Sequence, residues 1–266
     1  MRNLKINFPA FILMAASMAW FSCNKPATDP PLNTGGPYIL SYGDSILYPK
    51  PSAGDYIVSP TTRRDGVYAG FPEGIEIDGI TGAINVTKSE TGLRYRITHT
   101  ATNGTVTTTM VVLSGITFFD KFYFLSQNDS VALPVYNALA SRTLPITGSV
   151  FDDGGGANSS GCDIKTVNGQ INLAQTVRNG FFGNTPANDA RRDIEIIYRL
   201  NDGSSKTINK LKVRLYYYTS MATVAPDLLQ TLQDRQADGV FLRGEMVEKI
   251  GQAAKPRPPC VIIIAN

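Results

Sequence analysis

From about Pro37 onward the chain is written in short β patterns. Arg94-Tyr95-Arg96-Ile97-Thr98-His99-Thr100-Ala101 alternates apolar and polar positions with period two, and Thr105 to Leu113 is a Thr/Val run. Between them lies Asn103-Gly104, a dipeptide that tolerates positive φ at both positions and so predicts a hairpin closed by a type I′ turn. A second hairpin is predicted from Asp193–Leu200 and Lys210–Tyr218, joined across Asn201-Asp202-Gly203-Ser204-Ser205. In its return strand Leu211, Val213, Leu215 and Tyr217 point one way, and Lys210, Lys212, Arg214, Tyr216 and Tyr218 the other. Tyr38-Ile39-Leu40, Ile46-Leu47-Tyr48 and Asp55-Tyr56-Ile57-Val58 are further strand candidates, bounded by Gly, Ser and Pro. Helical spacing is clearest at one place. Pro226 suits a first-turn position, and Leu228, Leu229 and Leu232 form one apolar stripe before Asp234-Arg235. The chain ends in Cys260-Val-Ile-Ile-Ile-Ala265, an apolar run of strand length.

The N-terminus follows a different pattern. Arg2 and Lys5 precede an apolar run from Phe8 to Phe21, which stops at Ser22-Cys23 before polar Asn24-Lys25-Pro26. That run is short of the roughly 20 residues a spanning helix needs. A charged start, a short apolar core and a small residue at the cut site describe a signal peptide over 1–22. Trp20-Phe21-Ser22-Cys23 resembles a bacterial lipobox, of the looser kind found in surface lipoproteins of Bacteroidetes type, although it lacks the preferred Leu three residues before the Cys. The resemblance implies that Cys23 is acylated and becomes the new N-terminus. An uncleaved anchor helix with an incidental Cys is the alternative. Several acyl chains, at about 0.8 kcal/mol per buried methylene, anchor stably where one would be marginal. Residues 23–36, rich in Pro, Gly and polar side chains, read as a flexible tether.

Processing rewrites the composition. The full chain has 266 residues, a formal charge of +3, one His, three Cys and one Trp. Removing 22 residues from 266 leaves 244, and loss of Arg2 and Lys5 without any acid lowers the charge from +3 to +1. A nearly neutral body gives no electrostatic case for nucleic acid as a partner. One imidazole and two remaining thiols cannot build a multi-His cage or a zinc ribbon, and no cofactor is expected.

Phe71-Pro72-Glu73-Gly74-Ile75-Glu76-Ile77-Asp78-Gly79-Ile80-Thr81-Gly82-Ala83-Ile84, then Gly92-Leu93-Arg94-Tyr95-Arg96-Ile97 and Ala101-Thr102-Asn103-Gly104, resemble the Ig/cadherin-like modules of bacterial surface proteins. The resemblance covers about 75 residues. It implies a β-sandwich over 37–115 that acts as spacer or adhesive scaffold, with no catalytic residue. A second β-rich domain with one short helix is expected over 116–245, then a C-terminal segment, 246–266, whose final strand packs back. The pairing of such a module with Gly169-Gln170-Ile171-Asn172-Leu173-Ala174-Gln175-Thr176-Val177-Arg178-Asn179-Gly180 is similar to uncharacterised lipoproteins of Bacteroidetes type, a likeness that implies no activity.

Candidate chemistry is sparse. His99 falls on the Tyr95/Ile97/His99/Ala101 side of its strand, which predicts an interior histidine rather than a base. No Gly-x-Ser-x-Gly elbow and no Gly-Lys-[Ser/Thr] phosphate loop occurs. Cys162 and Cys260 are candidates for a disulfide in an oxidising compartment, worth at most about 4.7 kcal/mol for a loop of some 100 residues. Two buried thiols that never meet are the alternative. Asp152-Asp153-Gly154-Gly155-Gly156 with Asp163 offers oxygens to a hard cation, but its spacing is not that of an EF-hand, and a surface loop is the plainer reading. Lys210, Lys212 and Arg214 with Tyr216 and Tyr218 form a candidate face for an acidic polymer or a sugar, against an ordinary face salt-bridged to Asp193 and Glu195. Asp44-Ser45-Ile46 and Asp129-Ser130-Val131 resemble the O-glycosylation signal of exported Bacteroidetes-type proteins. Only six Glu occur, none in a glycosidase motif.

The expectation is therefore a mainly β, lipid-anchored protein of the outer membrane or cell surface. Its partners would be the bilayer, through Cys23, and a glycan or envelope protein. Its role would be non-enzymatic: adhesive, scaffold or glycan capture. A polysaccharide-acting hydrolase, or its accessory subunit, with a site between the modules is the alternative.

Overall fold

The computed structural model describes residues 38–138, 144, 146–237 and 257–266. The expected signal peptide, Cys23 and the tether lie outside the described residues, as does the first part of the 246–266 segment.

The chain is mainly β. Its first part contains β1 (Ile46–Leu47), β2 (Ile57–Val58), β3 (Gly66–Phe71), β4 (Ile84–Asn85), β5 (Leu93–Ala101) and β6 (Val106–Leu113). A four-stranded sheet in the order β1-β6-β5-β3 faces the two-stranded β2-β4 sheet. Leu93, Tyr95, Ile97, Val111 and Leu113 from the larger sheet and Ile84 from the smaller one fill a single cluster, which makes this part a sandwich. The period-two pattern of β5 is the cause, because alternate side chains enter that cluster and the rest face outward. His99 is 1% exposed, held between the rings of Tyr38 and Tyr68, with Nε2 3.2 Å from the Asp65 carbonyl oxygen.

The β5–β6 hairpin forms as expected, but its turn does not. Only Gly104 has positive φ (83°), and its N–H reaches the Ala101 carbonyl at 2.9 Å while Ala101 N–H donates to Thr105 O at 2.8 Å. The loop is therefore three residues long, a tight turn followed by a left-handed glycine. Asn103 instead uses its side chain, which accepts from Thr105 N–H at 3.0 Å. That bond needs no left-handed backbone at Asn103.

The second part holds β7 (Ile116–Thr117), β8 (Lys121–Phe124), β9 (Val131–Ala132), β10 (Val135–Tyr136), β11 (Val150–Phe151), β12 (Ile171–Asn172), β13 (Ala190–Arg199), β14 (Ile208–Tyr218) and β15 (Cys260–Ile264). Helices α1 (Gly156–Ser159), α2 (Leu173–Arg178) and α3 (Pro226–Ala237) complete it. The main sheet runs β11-β13-β14-β15-β8, with β14, β15 and β8 mutually parallel. β15 is thus an interior strand, between β14 and β8, and all five of its residues are buried. An unbroken apolar run, not an alternating one, is what burial on both faces requires.

One face carries Leu211, Val213, Leu215, Val261 and Ile263 into the larger apolar cluster. The other carries Tyr216, Tyr218, Ile262 and Ile264 against Leu228, Leu229 and Leu232 of α3. The expected helix and its stripe are present, and the stripe covers this second face. Asp120 fastens the two, accepting from Cys260 N–H at 2.6 Å and from Arg235 Nη1 at 2.9 Å.

The expected disulfide is absent. Cys162 and Cys260 are free and buried, Cys162 in the cluster on one face of the sheet and Cys260 under α3 on the other. A bridge would have to pass through the sheet. Burial pushes the Cys162 thiol up to about 12, and the Cys260 thiol is also raised by burial.

Candidate functional site

The two parts meet where the chain passes from Leu113 to Ile116, and the joint is tight. A Cβ on Gly92, whose φ is +77°, would lie 2.3 Å from the Ile116 carbonyl oxygen, and one on Gly115 would lie 2.7 Å from Tyr198 Oη. Only glycine admits such an approach. Tyr198, fully buried in the second part, accepts the Ile116 N–H at 3.2 Å and lies 3.0 Å from Thr91 Oγ1 in the first. Asp202 Oδ2 accepts from Ser114 Oγ at 2.6 Å and from Tyr136 Oη at 2.8 Å.

Arg257 closes the joint from the C-terminal segment. Its Nη2 donates to the Thr91 carbonyl at 2.6 Å, its Nη1 to Thr117 Oγ1 at 2.9 Å, and its Nε stands 3.3 Å from Glu90 Oε2. Burial raises the Glu90 carboxyl above its ordinary value, and the Arg257 charge beside it opposes that rise. The opposite balance holds for Arg257, which burial lowers and Glu90 supports.

Beside this joint opens a cleft of about 630 Å³, within the roughly 300–1,000 Å³ of ordinary small-molecule sites. Lys50, Thr87 and Glu90 line it from the sandwich, Glu195, Lys210 and Lys212 from the β13–β14 hairpin, and Arg257 from the C-terminal segment. Local sequence explains the placement. Lys50 stands between Pro49 and Pro51, and Arg257 between Pro256 and Pro258, so each precedes a proline that keeps its backbone out of the helical region. Lys210 and Lys212 sit on alternate positions of β14 and so share a wall.

The five-residue face proposed from sequence is divided by the fold. Lys210 and Lys212 are exposed and line the cleft, and Lys210 pairs with Glu195 at 3.1 Å. Arg214 forms a two-pronged pair with Asp193, at 2.6 and 2.9 Å, and holds that carboxyl below the usual range. Tyr216 and Tyr218 are not available to a ligand. They are 5% and 0% exposed because α3 lies over them, and Tyr218 Oη donates to Asp189. The alternation was legible, but it could not say that half the face is covered. Lys50 and Arg257 share a Pro-cation-Pro pattern, the one local signal they carry, and nothing local marks Glu90.

The acidic loop has a structural use. Asp152 Oδ1 accepts from Ala157 N–H at 2.8 Å, and Oδ2 accepts from Asn158 N–H and Nδ2 at 2.9 and 2.7 Å. Those donors hold the one turn of α1, while Asp153 pairs with Arg199 at 2.6 Å. Among the described residues no group of three His, Cys, Asp or Glu is placed to hold a metal ion. No described helix is long and apolar enough to cross a membrane. Ser45 of the first glycosylation-like triplet is exposed, and Ser130 of the second is partly buried.

Fold and site define a two-part, mainly β protein with a charged cleft at the joint. No protein-family model and no curated protein matches the sequence. Among solved structures, the chain is similar to Drosophila N-cadherin EC1-4, at 12% identity and a TM-score of 0.21, over 67% of this chain and 48% of that one. The chain thus spans about half the length of that structure.

Proposed function

We propose that this protein is a lipid-anchored component of the cell envelope, of the Bacteroidetes surface-lipoprotein type, that captures a glycan in the cleft between its two parts without turning it over. The carrying observation is the cleft, which draws side chains from the sandwich, from the β13–β14 hairpin and from the C-terminal segment. Two features support binding over catalysis. Each cleft carboxylate has a cation against it, Glu90 with Arg257 and Glu195 with Lys210. The sole imidazole is enclosed in the sandwich. Support for the anchor is the charged start, short apolar run and Ser22-Cys23 of the N-terminus.

Two measurements test the reading. A clickable fatty acid should label the wild type in cells and not Cys23→Ala, and equal labelling would end the lipoprotein claim. A glycan array probed with the chain from Asn24 onward should give a reproducible hit. Silence across acidic and neutral glycans would end the capture claim.

A hydrolase is the second reading, favoured by one observation: Glu90, raised by burial, and Glu195 line the same cleft. Two carboxylates facing one cleft are the glycosidase arrangement. New reducing ends from a bound polysaccharide, lost in Glu90→Gln and Glu195→Gln, would establish it.

A further inference from the structure

Resting on the glycan-capture reading, we infer that the ligand of the inter-part cleft is an anionic glycan, one bearing carboxylate or sulfate groups, gripped by Lys50 on one wall and Lys212 on the other. The cleft is lined by four cations, Lys50, Lys210, Lys212 and Arg257, and by two acids, Glu90 and Glu195. The acids are matched in place, Glu90 by Arg257 at 3.3 Å and Glu195 by Lys210 at 3.1 Å. Lys50 and Lys212 make no ion pair among the described residues. Lys50 stands over the Tyr56 ring at 5.6 Å, and Lys212 acts on Asp193 only through space. The excess of two positive charges is thus concentrated in a concave site of a body whose processed chain is otherwise nearly neutral, the setting in which a cleft focuses its field on an oppositely charged ligand.

The rest of the lining sharpens the class. No aromatic ring is among the residues that line the cleft, so a neutral sugar finds no stacking platform there. Val86, Ile208 and the prolines give apolar walls, and Thr87, Thr207 and Asn209 give polar groups suited to a hydroxylated chain. Charge is therefore the selective element. Because one free lysine comes from each part, a ligand carrying two anionic groups would span the joint and touch both.

The test uses the full chain in detergent and oligogalacturonate as the probe, followed by calorimetry. A fully methyl-esterified oligogalacturonide of the same length is the neutral counterpart, and dextran sulfate and dextran separate sulfate from bare sugar. Binding of an anionic member should weaken on the order of tenfold in Lys50→Glu/Lys212→Glu and with added salt. Lys165→Glu, exposed and outside the cleft, should bind as wild type. Thermal melts establish that each variant is folded, and Lys50→Gln/Lys212→Gln provides a milder second pair. Equal affinity for the acid and its methyl ester, or unaltered affinity in folded double variants, would overturn the inference. Binding of dextran or the ester alone would overturn it and leave glycan capture standing. Binding of no glycan at all would remove both.

Discussion

Arg257 donates from Nη2 to the carbonyl oxygen of Thr91 at 2.6 Å, a bond that joins residues 166 positions apart and ties the C-terminal segment to the sandwich. The same guanidinium faces Glu90 and Thr117, so one side chain holds three pieces of chain at the rim of the cleft. Its Nε contact with Glu90 is an ion pair without hydrogen-bond alignment. Such a group is costly to bury and costly to remove, since removal strands its partners.

Arg257→Leu therefore leaves the Glu90 carboxylate half-buried and the Thr91 carbonyl without its donor. A loss of about 1–3 kcal/mol is expected from the stranded Thr91 acceptor, with little added by the ion pair because the Glu90 side chain is 43% exposed. Urea unfolding of the full chain in detergent measures it. A loss under about 1 kcal/mol would mean that the joint stands without this arginine.

Tyr198→Phe probes the same joint from the other side. It removes the hydroxyl that accepts the Ile116 N–H and contacts Thr91 Oγ1 and changes little else. An orphaned buried N–H predicts a loss of about 1–3 kcal/mol. Hydrogen exchange should locate the effect at Ile116, with faster exchange there than in the wild type.

What the sequence made legible was local. Alternation in 94–101 and 210–218 named both hairpins, and the Leu228/Leu229/Leu232 stripe named the helix. The stripe and the Tyr216/Tyr218 end of the β14 face are two halves of one contact, each visible alone, but nothing local says that they meet. Neither could the last strand announce that it inserts between β14 and β8, although the unbroken run Val261–Ile264 carries the hint that both faces are covered. Asn103-Gly104 predicts its commonest turn, whereas the Asn103 side chain accepts from Thr105 N–H and leaves positive φ to Gly104 alone. The cleft was illegible because Lys50, Glu90, Lys212 and Arg257 are brought together only by the packing of distant segments.

The thiols give a clean chemical count. In a Cys23→Ala chain, Cys162 and Cys260 are buried and poor in thiolate, so Ellman's reagent at mildly alkaline pH should find none in the folded protein. In denaturant without reductant it should find two. None in denaturant would mean a bridge, and the separation of the two residues by the sheet would be wrong.

Acid stability carries the mark of the β13–β14 face. The Arg214 guanidinium beside Asp193 holds its carboxyl below the ordinary aspartate value of 3.8. A depressed folded value means that the pair adds stability above the unfolded pKa and loses it as pH falls through the folded one. Both side chains are about a third exposed, so water screens the contribution to less than about 1 kcal/mol. Asp193→Asn should accordingly lower the melting temperature slightly at neutral pH, and its curve should converge on the wild type below the folded value. Parallel curves down to the most acidic point would show that the pair does not titrate in this way.

The interior strand β15 yields the sharpest contrast, because its neighbouring residues serve different faces. Ile263 is fully buried with Val213 and Leu215 in the larger cluster, and Ile262 is fully buried with Tyr216 and Leu228 beneath α3. Truncating either to alanine leaves a cavity in a packed layer and should cost about 2–5 kcal/mol. The consequences should differ in place. Ile262→Ala loosens the seat of α3, so trypsin should cut after Arg235 faster than in the wild type before the rest of the domain opens. In Ile263→Ala that cut should appear only with global unfolding, since α3 keeps its own contacts. If both variants released α3 alike, the two faces of the sheet would be one cooperative core, and the helix would not be a separately seated cover.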